Sequence, residues 1–335
     1  MTTADAILLL TWVGLTAYAV LGGADFGAGF WDLLSVGEKG DRAQALIEDT
    51  IGPVWEANHV WLIFAIVVVW TAFPAVFGAV ASTLYIPLTV VAIGVILRGS
   101  GFVFRKSLEQ SRLRRRFGQL FGLSSLVTPF FLGAIAGAVA TGRVPPGNAA
   151  GDAIGSWLNP TSVLAGILAV GSCAYLAAVY LTSDARRQGD QQLTDLFRRR
   201  AIVMGVAVGF TAMLGIYVLA KDAPVLYEGL VSRALPIVVL SALAGLASLG
   251  LLWARRFRGA RATAAAAVGS ILWGWAIAQY PYLLIGSLTI AEASAPATTL
   301  SALLIVLLVG AILVVPGMIL LFIVAQRPAR TPPAT

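Results

Sequence analysis

Apolar runs long enough to cross a bilayer recur along almost the whole chain. A hydrocarbon core of about 30 Å needs about 20 helical residues. Runs at approximately 5–34, 53–75, 77–104, 117–141, 160–182, 199–220, 233–254, 262–287 and 298–325 meet that length, and they predict nine transmembrane helices. Between the second and third runs only Pro74 and Gly78 interrupt the apolar pattern. Pro53 stands where it would open the second helix, at the first turn. The links are short. The longest, around 35–52, 142–159 and 183–198, are too short to enclose a core, so they read as loops and no soluble domain is expected.

Composition agrees with that pattern. Hydrophobic residues make up 59% of the chain, charged residues 12%, and the mean hydropathy is +0.87. A soluble domain would carry about 25% charged residues, so the fold class is an all-α polytopic membrane protein. The formal net charge of +7 would suit nucleic acid if the basic residues formed a face. They gather instead in short links, which is topology signal, and no nucleic-acid partner is expected.

The links alternate in charge. Residues 105–116 hold six Lys/Arg against one acid, 184–200 hold five against three, and 254–261 hold four against none. The intervening links carry little: Arg143 and Asp152, then Lys221, Asp222, Glu228 and Arg233, then Glu292. The basic links follow helices three, five and seven, and the positive-inside rule makes their side cytoplasmic. Arg327 and Arg330 in the tail fall on the same side. Nine helices, the N-terminus outside and the C-terminus cytoplasmic, satisfy every link. The first run has no basic residue before it, and the first positive charge is Lys39. It therefore reads as a retained helix and not as a cleaved signal peptide. The single cysteine, Cys173, lies in an apolar run and reads as a small buried side chain.

A few polar residues interrupt the apolar runs. A charged group at membrane depth costs about 2.5–3.5 kcal/mol on insertion scales, so each calls for a role. Asp25 lies in GGADFGAGFWDLL among Gly22, Gly23, Gly27 and Gly29, which read as close helix packing. Glu56, Asn58 and His59 open the second run in GPVWEANHVWLI, with Glu56 and His59 three apart on one helix face. Asp25, Glu56 and His59 are placed at similar depth on antiparallel helices, facing one another as a proton entry from the cytoplasm. Capping of a helix N-terminus by Glu56 is the bland alternative, and a packed ion pair or subunit contact is the other. His59 makes a poor metal or haem ligand without Cys or His partners. Arg98, late in the third run, is expected to snorkel to the cytoplasmic interface, with pairing to a carboxylate or a subunit contact as the sharper alternative. Trp12, Trp157, Trp253, Tyr280 and Tyr282 read as interfacial anchors. Nucleotide loops, nucleophile triads and zinc spacings are not found.

Taken together, GGADFGAGFWDLL and IGPVWEANHVWLI resemble the N-terminal signature of subunit II of cytochrome bd-type quinol oxidases. ILRGSGFVFRK at 96–106, QYPYLL at 279–284 and SLTIAEASAPATTL at 287–300 are similar in the same order. The resemblance implies two four-helix bundles, approximately 1–141 and 160–287, with a peripheral helix at 298–325. It implies a haem-bearing subunit I as partner, with b- and d-type haems there and none bound by this chain alone, and a quinol as substrate of the complex. Small accessory subunits, and a quinone or lipid on this chain, stay open. Asp25 and Glu56 match the acidic positions that line the family's cytoplasmic proton path. The chain departs from the pattern at Glu56, where many members have Asp, at Gly22, where some carry an acid, and at His59, where others carry glutamine. Two other readings compete: a stand-alone secondary transporter with Asp25 and Glu56 as coupling carboxylates, and a purely structural subunit. The location expected is a bacterial cytoplasmic (inner) membrane.

Overall fold

The computed structural model describes residues 2–52, 54–108 and 111–325. Pro53, read as a helix opener, and the tail arginines Arg327 and Arg330 lie outside the described residues. Nine helices among the described residues are long and apolar enough to span a membrane. The first is built from α1 (Thr3–Ala17), a five-residue π-helical turn (Tyr18–Gly22) and α2 (Gly23–Leu33). The others are α4 (Trp55–Ala72), α6 (Tyr85–Ser107), α7 (Ser111–Ala140), α8 (Pro160–Arg187), α9 (Gln191–Asp222), α11 (Leu235–Trp253), α12 (Phe257–Gln279) and α14 (Ala297–Ala325). Thr2 and Asp5 cap the start of α1 reciprocally.

Four segments between the spans hold more order than expected. Residues 38–51 form the helix α3 (Glu38–Ile51), where a loop was predicted. Its buried residues Ala43, Leu46, Ile47 and Ile51 recur at helical spacing and pack against α2 and α8. Gln44 Nε2 also donates to the carbonyls of Asp32 and Ser35, at 3.2 and 3.1 Å. Residues 74–83, placed partly in the third span, are a separate helix α5 (Pro74–Thr83). Phe73 leaves helical geometry at φ −136°, ψ 60°, and Pro74, which has no N–H to lose, starts the new helix. Another short helix, α10 (Pro224–Val231), follows α9. The eighth span stops at Gln279, eight residues before the predicted end. Beyond it the chain forms a two-stranded hairpin, β1 (Tyr282–Leu284) with β2 (Leu288–Thr289), and then a single turn α13 (Ile290–Ala293).

α8 is central. It packs against α2, α7, α9 and α12. Trp31 Nε1 donates to the Ala174 carbonyl at 2.7 Å, and Tyr175 Oη donates to Ser248 Oγ at 2.6 Å. A continuous apolar core at the basic end joins residues of both halves, among them Trp31, Ile47, Phe121, Leu176, Phe197 and Val268. At the opposite end Arg143 meets Asp222 at 2.6 Å, and Thr161 Oγ1 donates to the same carboxylate at 2.6 Å. Trp12 is no interfacial anchor. It turns into the bundle, donates to the Leu272 carbonyl at 3.1 Å and packs edge-on to Trp275.

Candidate functional site

The glycines around Asp25 explain how a carboxylate comes to lie among packed helices. A methyl group at Gly27 would sit 1.8 Å from the Cys173 carbonyl oxygen, and one at Gly29 would sit 2.2 Å from Ser125 Oγ. α2 can therefore press its backbone against α8 on one side and α7 on another. That approach buries Asp25, which is 7% exposed.

A buried carboxylate needs a donor, and Asn58 supplies it. Asn58 Nδ2 donates to Asp25 Oδ2 at 2.6 Å, joining the first span to the second. Arg98 enters from the third span and is 1% exposed. Its Nε donates to Ser125 Oγ at 3.1 Å, and its Nη1 lies 3.4 Å from His59 Nε2. An arginine can only donate, so Nε2 is the acceptor and the ring proton sits on Nδ1. The guanidinium also lies over the rings of Phe26 and Phe121, with its carbon 4.6 and 5.2 Å from their centroids. The expectation that Arg98 snorkels is thus overturned. Gly94, Arg98, Gly101 and Arg105 share the buried face of α6, and the two glycines make the room that draws the side chain inward.

Four of the five residues singled out in the sequence meet here: Asp25, Asn58, His59 and Arg98. Glu56 does not. It is exposed and lies on the face of α4 that carries Val60, Ile63, Val67 and Trp70, all pointing away from the rest of the chain. Two residues along a helix turn the side chain by about 200°, so Asn58 and Glu56 cannot both face Asp25. Asn58 Oδ1, His59 Nδ1, Arg98 Nη2 and Tyr18 Oη are buried with no hydrogen-bond partner among the described residues. Such a cluster is polar enough to hold ordered water.

Sequence reasoning missed a second group. Asp32 lies seven residues after Asp25 on the same helix face, about 10 Å further toward the basic end. It is 2% exposed and meets Arg105 at 2.7 Å, and Arg105 Nε also meets Glu48 at 2.7 Å. Arg114 lies 3.7 Å from Glu48. The i, i+7 spacing of the two aspartates was the available signal. These charges form the floor of a cleft of about 550 Å³, also lined by Ser35, Gln44 and Gln119, that opens at the basic end.

A family model described as cytochrome bd terminal oxidase subunit II matches residues 3–325. Cytochrome bd-I ubiquinol oxidase subunit 2 of Escherichia coli (strain K12) is 29% identical over 222 residues, which is 63% of this chain and 56% of that protein. Cytochrome bd ubiquinol oxidase subunit 2 of Bacillus subtilis (strain 168) is 28% identical over 189 residues, 56% of this chain and 55% of that protein. The matched segments thus span just over half the length of these relatives. The chain is also similar in structure to the bd oxidase from Geobacillus thermodenitrificans, with a TM-score of 0.81 and 28% identity, covering 97% of this chain and 99% of that one. On the strength of a match running from the first span to the last, the chain belongs to the cytochrome bd terminal oxidase subunit II family.

Proposed function

We propose that this chain is the haem-free subunit II of a cytochrome bd-type quinol:oxygen oxidoreductase in the bacterial cytoplasmic membrane. It pairs with a haem-bearing subunit I and supplies part of a proton path from the cytoplasm. The observation that carries the path is the buried Asp25 carboxylate, held by Asn58 beside a buried arginine, above a charged cleft at the basic end. We read α1 to α7 as the first bundle, α8 to α12 as the second, and α14 as the peripheral helix. Family membership favours this reading over a stand-alone transporter.

The chain's own residues suit proton handling better than redox chemistry. His59 is its one histidine, and Nε2 already takes a hydrogen bond from Arg98, so the donor set does not fit a haem. Haems in the partner would carry electrons from quinol to oxygen, whose reduction to water consumes protons. Asp32 and Asp25 stand about 10 Å apart along one helix, too far for direct transfer. Ordered water beside Ser125 and the unpartnered polar atoms would complete the relay. Glu56 faces outward, so it joins such a path only through groups that the partner contributes.

Purification of the tagged chain from native membranes is expected to bring a haem-rich second chain with it. Recovery as a lone chain in mild detergent would overturn the pairing. The isolated chain is expected to bind no stoichiometric haem, and a haem spectrum lost on His59→Gln would contradict that. Because 19 of the 23 Lys/Arg fall in the segments assigned to the cytoplasm, a reporter fused after Arg330 is expected to be cytoplasmic. A periplasmic signal there would sink the nine-helix orientation.

A further inference from the structure

A second cleft, of about 470 Å³, opens at the basic end between the tip of the first span and the start of α9, and it shares only Ser35 and Val36 with the first. Its lining includes Lys39, Arg42, Arg199 and Arg200 against one carboxylate, Asp195. That carboxylate is occupied by Arg255 at 2.9 Å. Arg42 is likewise occupied, by Asp190 and by Gln192 Oε1. The Leu193 amide and Arg42 hold the Asp190 carboxyl below the usual carboxylate range, which keeps that pair ionised.

Three cations remain. Among the described residues, Lys39 and Arg199 have no carboxylate within ion-pairing reach. Arg200 lies over the rings of Trp31 and Phe197, with its carbon 4.9 and 5.3 Å from their centroids, and gives one long bond of 3.3 Å to Ser35 Oγ. Stacking fixes the plane of that guanidinium and leaves donors toward the cleft. The rim is apolar and exposed: Leu34 is 52% and Val36 79% accessible. A cationic floor with an apolar lip, at the basic end of a spanning helix, is the chemistry of an anionic phospholipid site.

The geometry points to a phosphate-binding site here, held by Lys39, Arg199 and Arg200, whose ligand is the phosphodiester headgroup of an anionic phospholipid. Its acyl chains would lie along Leu34 and Val36. The assignment is independent of the oxidase reading.

The test titrates phosphatidylglycerol into the delipidated native assembly, reading bound lipid by native mass spectrometry and Tm. Phosphatidylcholine and inorganic phosphate are run in parallel. Lys39→Gln with Arg199→Gln removes two exposed charges without touching the Trp31 stack, and Arg256→Gln with Arg258→Gln removes the same charge elsewhere. Each interfacial charge is worth about fivefold, so the first double variant is expected to lose about thirtyfold in affinity for phosphatidylglycerol. The second is expected to lose little. A Tm rise with phosphatidylglycerol alone supports the lipid source, whereas an equal rise with inorganic phosphate keeps the site and replaces the lipid with the free anion. Unchanged binding in the first variant, an equal loss in the second, or equal binding of phosphatidylcholine would overturn the site.

Discussion

Asp25→Asn is expected to cut the quinol oxidase rate of the assembled complex by about a hundredfold, with haem content and subunit ratio unchanged. The substitution keeps size and planarity, and it removes the titratable group. The Asn58 amide donates to Asp25 Oδ2 now, and it can still donate to an amide oxygen at that place. Packing should therefore survive while proton transfer stops. Turnover should fall at saturating quinol with KM little altered, because quinol binding is not touched. Loss of haem or of the partner chain would instead assign Asp25 an assembly role, as the purely structural reading requires. Normal turnover would reject it as a proton carrier. Glu56→Gln separates the faces of α4: a comparable loss would mean that the outward-facing acid joins the path through the partner.

The second large effect is expected from Gly27→Ala, and it concerns assembly. A Cβ at Gly27 would meet the Cys173 carbonyl oxygen at 1.8 Å, and the obstacle is backbone, which no rotamer change relieves. Overpacking of this kind costs about 1–3 kcal/mol, and here two spans must also separate. That moves α2 away from α8 and with it Trp31, whose indole is bonded to the next carbonyl, that of Ala174. The yield of intact complex and its Tm should both drop. Gly209→Ala, where an added methyl meets nothing within 4 Å, should leave both unchanged. Equal behaviour of the two variants would show that the α2–α8 contact is looser than described.

The spans were legible because a bilayer demands about 20 apolar residues in a row, and such runs survive any detail of packing. What that signal cannot show is rotation about the helix axis. Residues 60–72 are apolar nearly all round, so nothing in them says whether Asn58 or Glu56 turns inward. Arg98 was misplaced for a different reason. Its distance along the chain to the basic link suggested the interface, yet Gly94 and Gly101, at helical spacing on either side, were the sign that its face is packed. Likewise α3 escaped notice because its polar face outweighs its four buried apolar residues in any average over the segment. Between α4 and α5 the break at Phe73 left only Pro74 as a trace, since apolar residues continue on both sides.

The π-helical turn at Tyr18–Gly22 makes the first span a matter of counting. An α-helix advances about 100° per residue, and a π-turn carries one residue more than the α-helix it replaces. The extra residue is taken up inside Tyr18–Gly22, so an α-helical turn over the same five residues would swing everything after it by about that angle, carrying Asp25 off Asn58 and Gly27 off Cys173 together. Loss of one residue here is absorbed if the π-turn goes with it, whereas a side chain at Gly22 would meet the ring of the buried Tyr18 at 2.9 Å. Natural chains of this kind that are one residue shorter across 18–22 should therefore run through it as plain α-helix, with the positions of Asp25 and Gly27 still in phase, as a gear keeps time when tooth and gap are removed together.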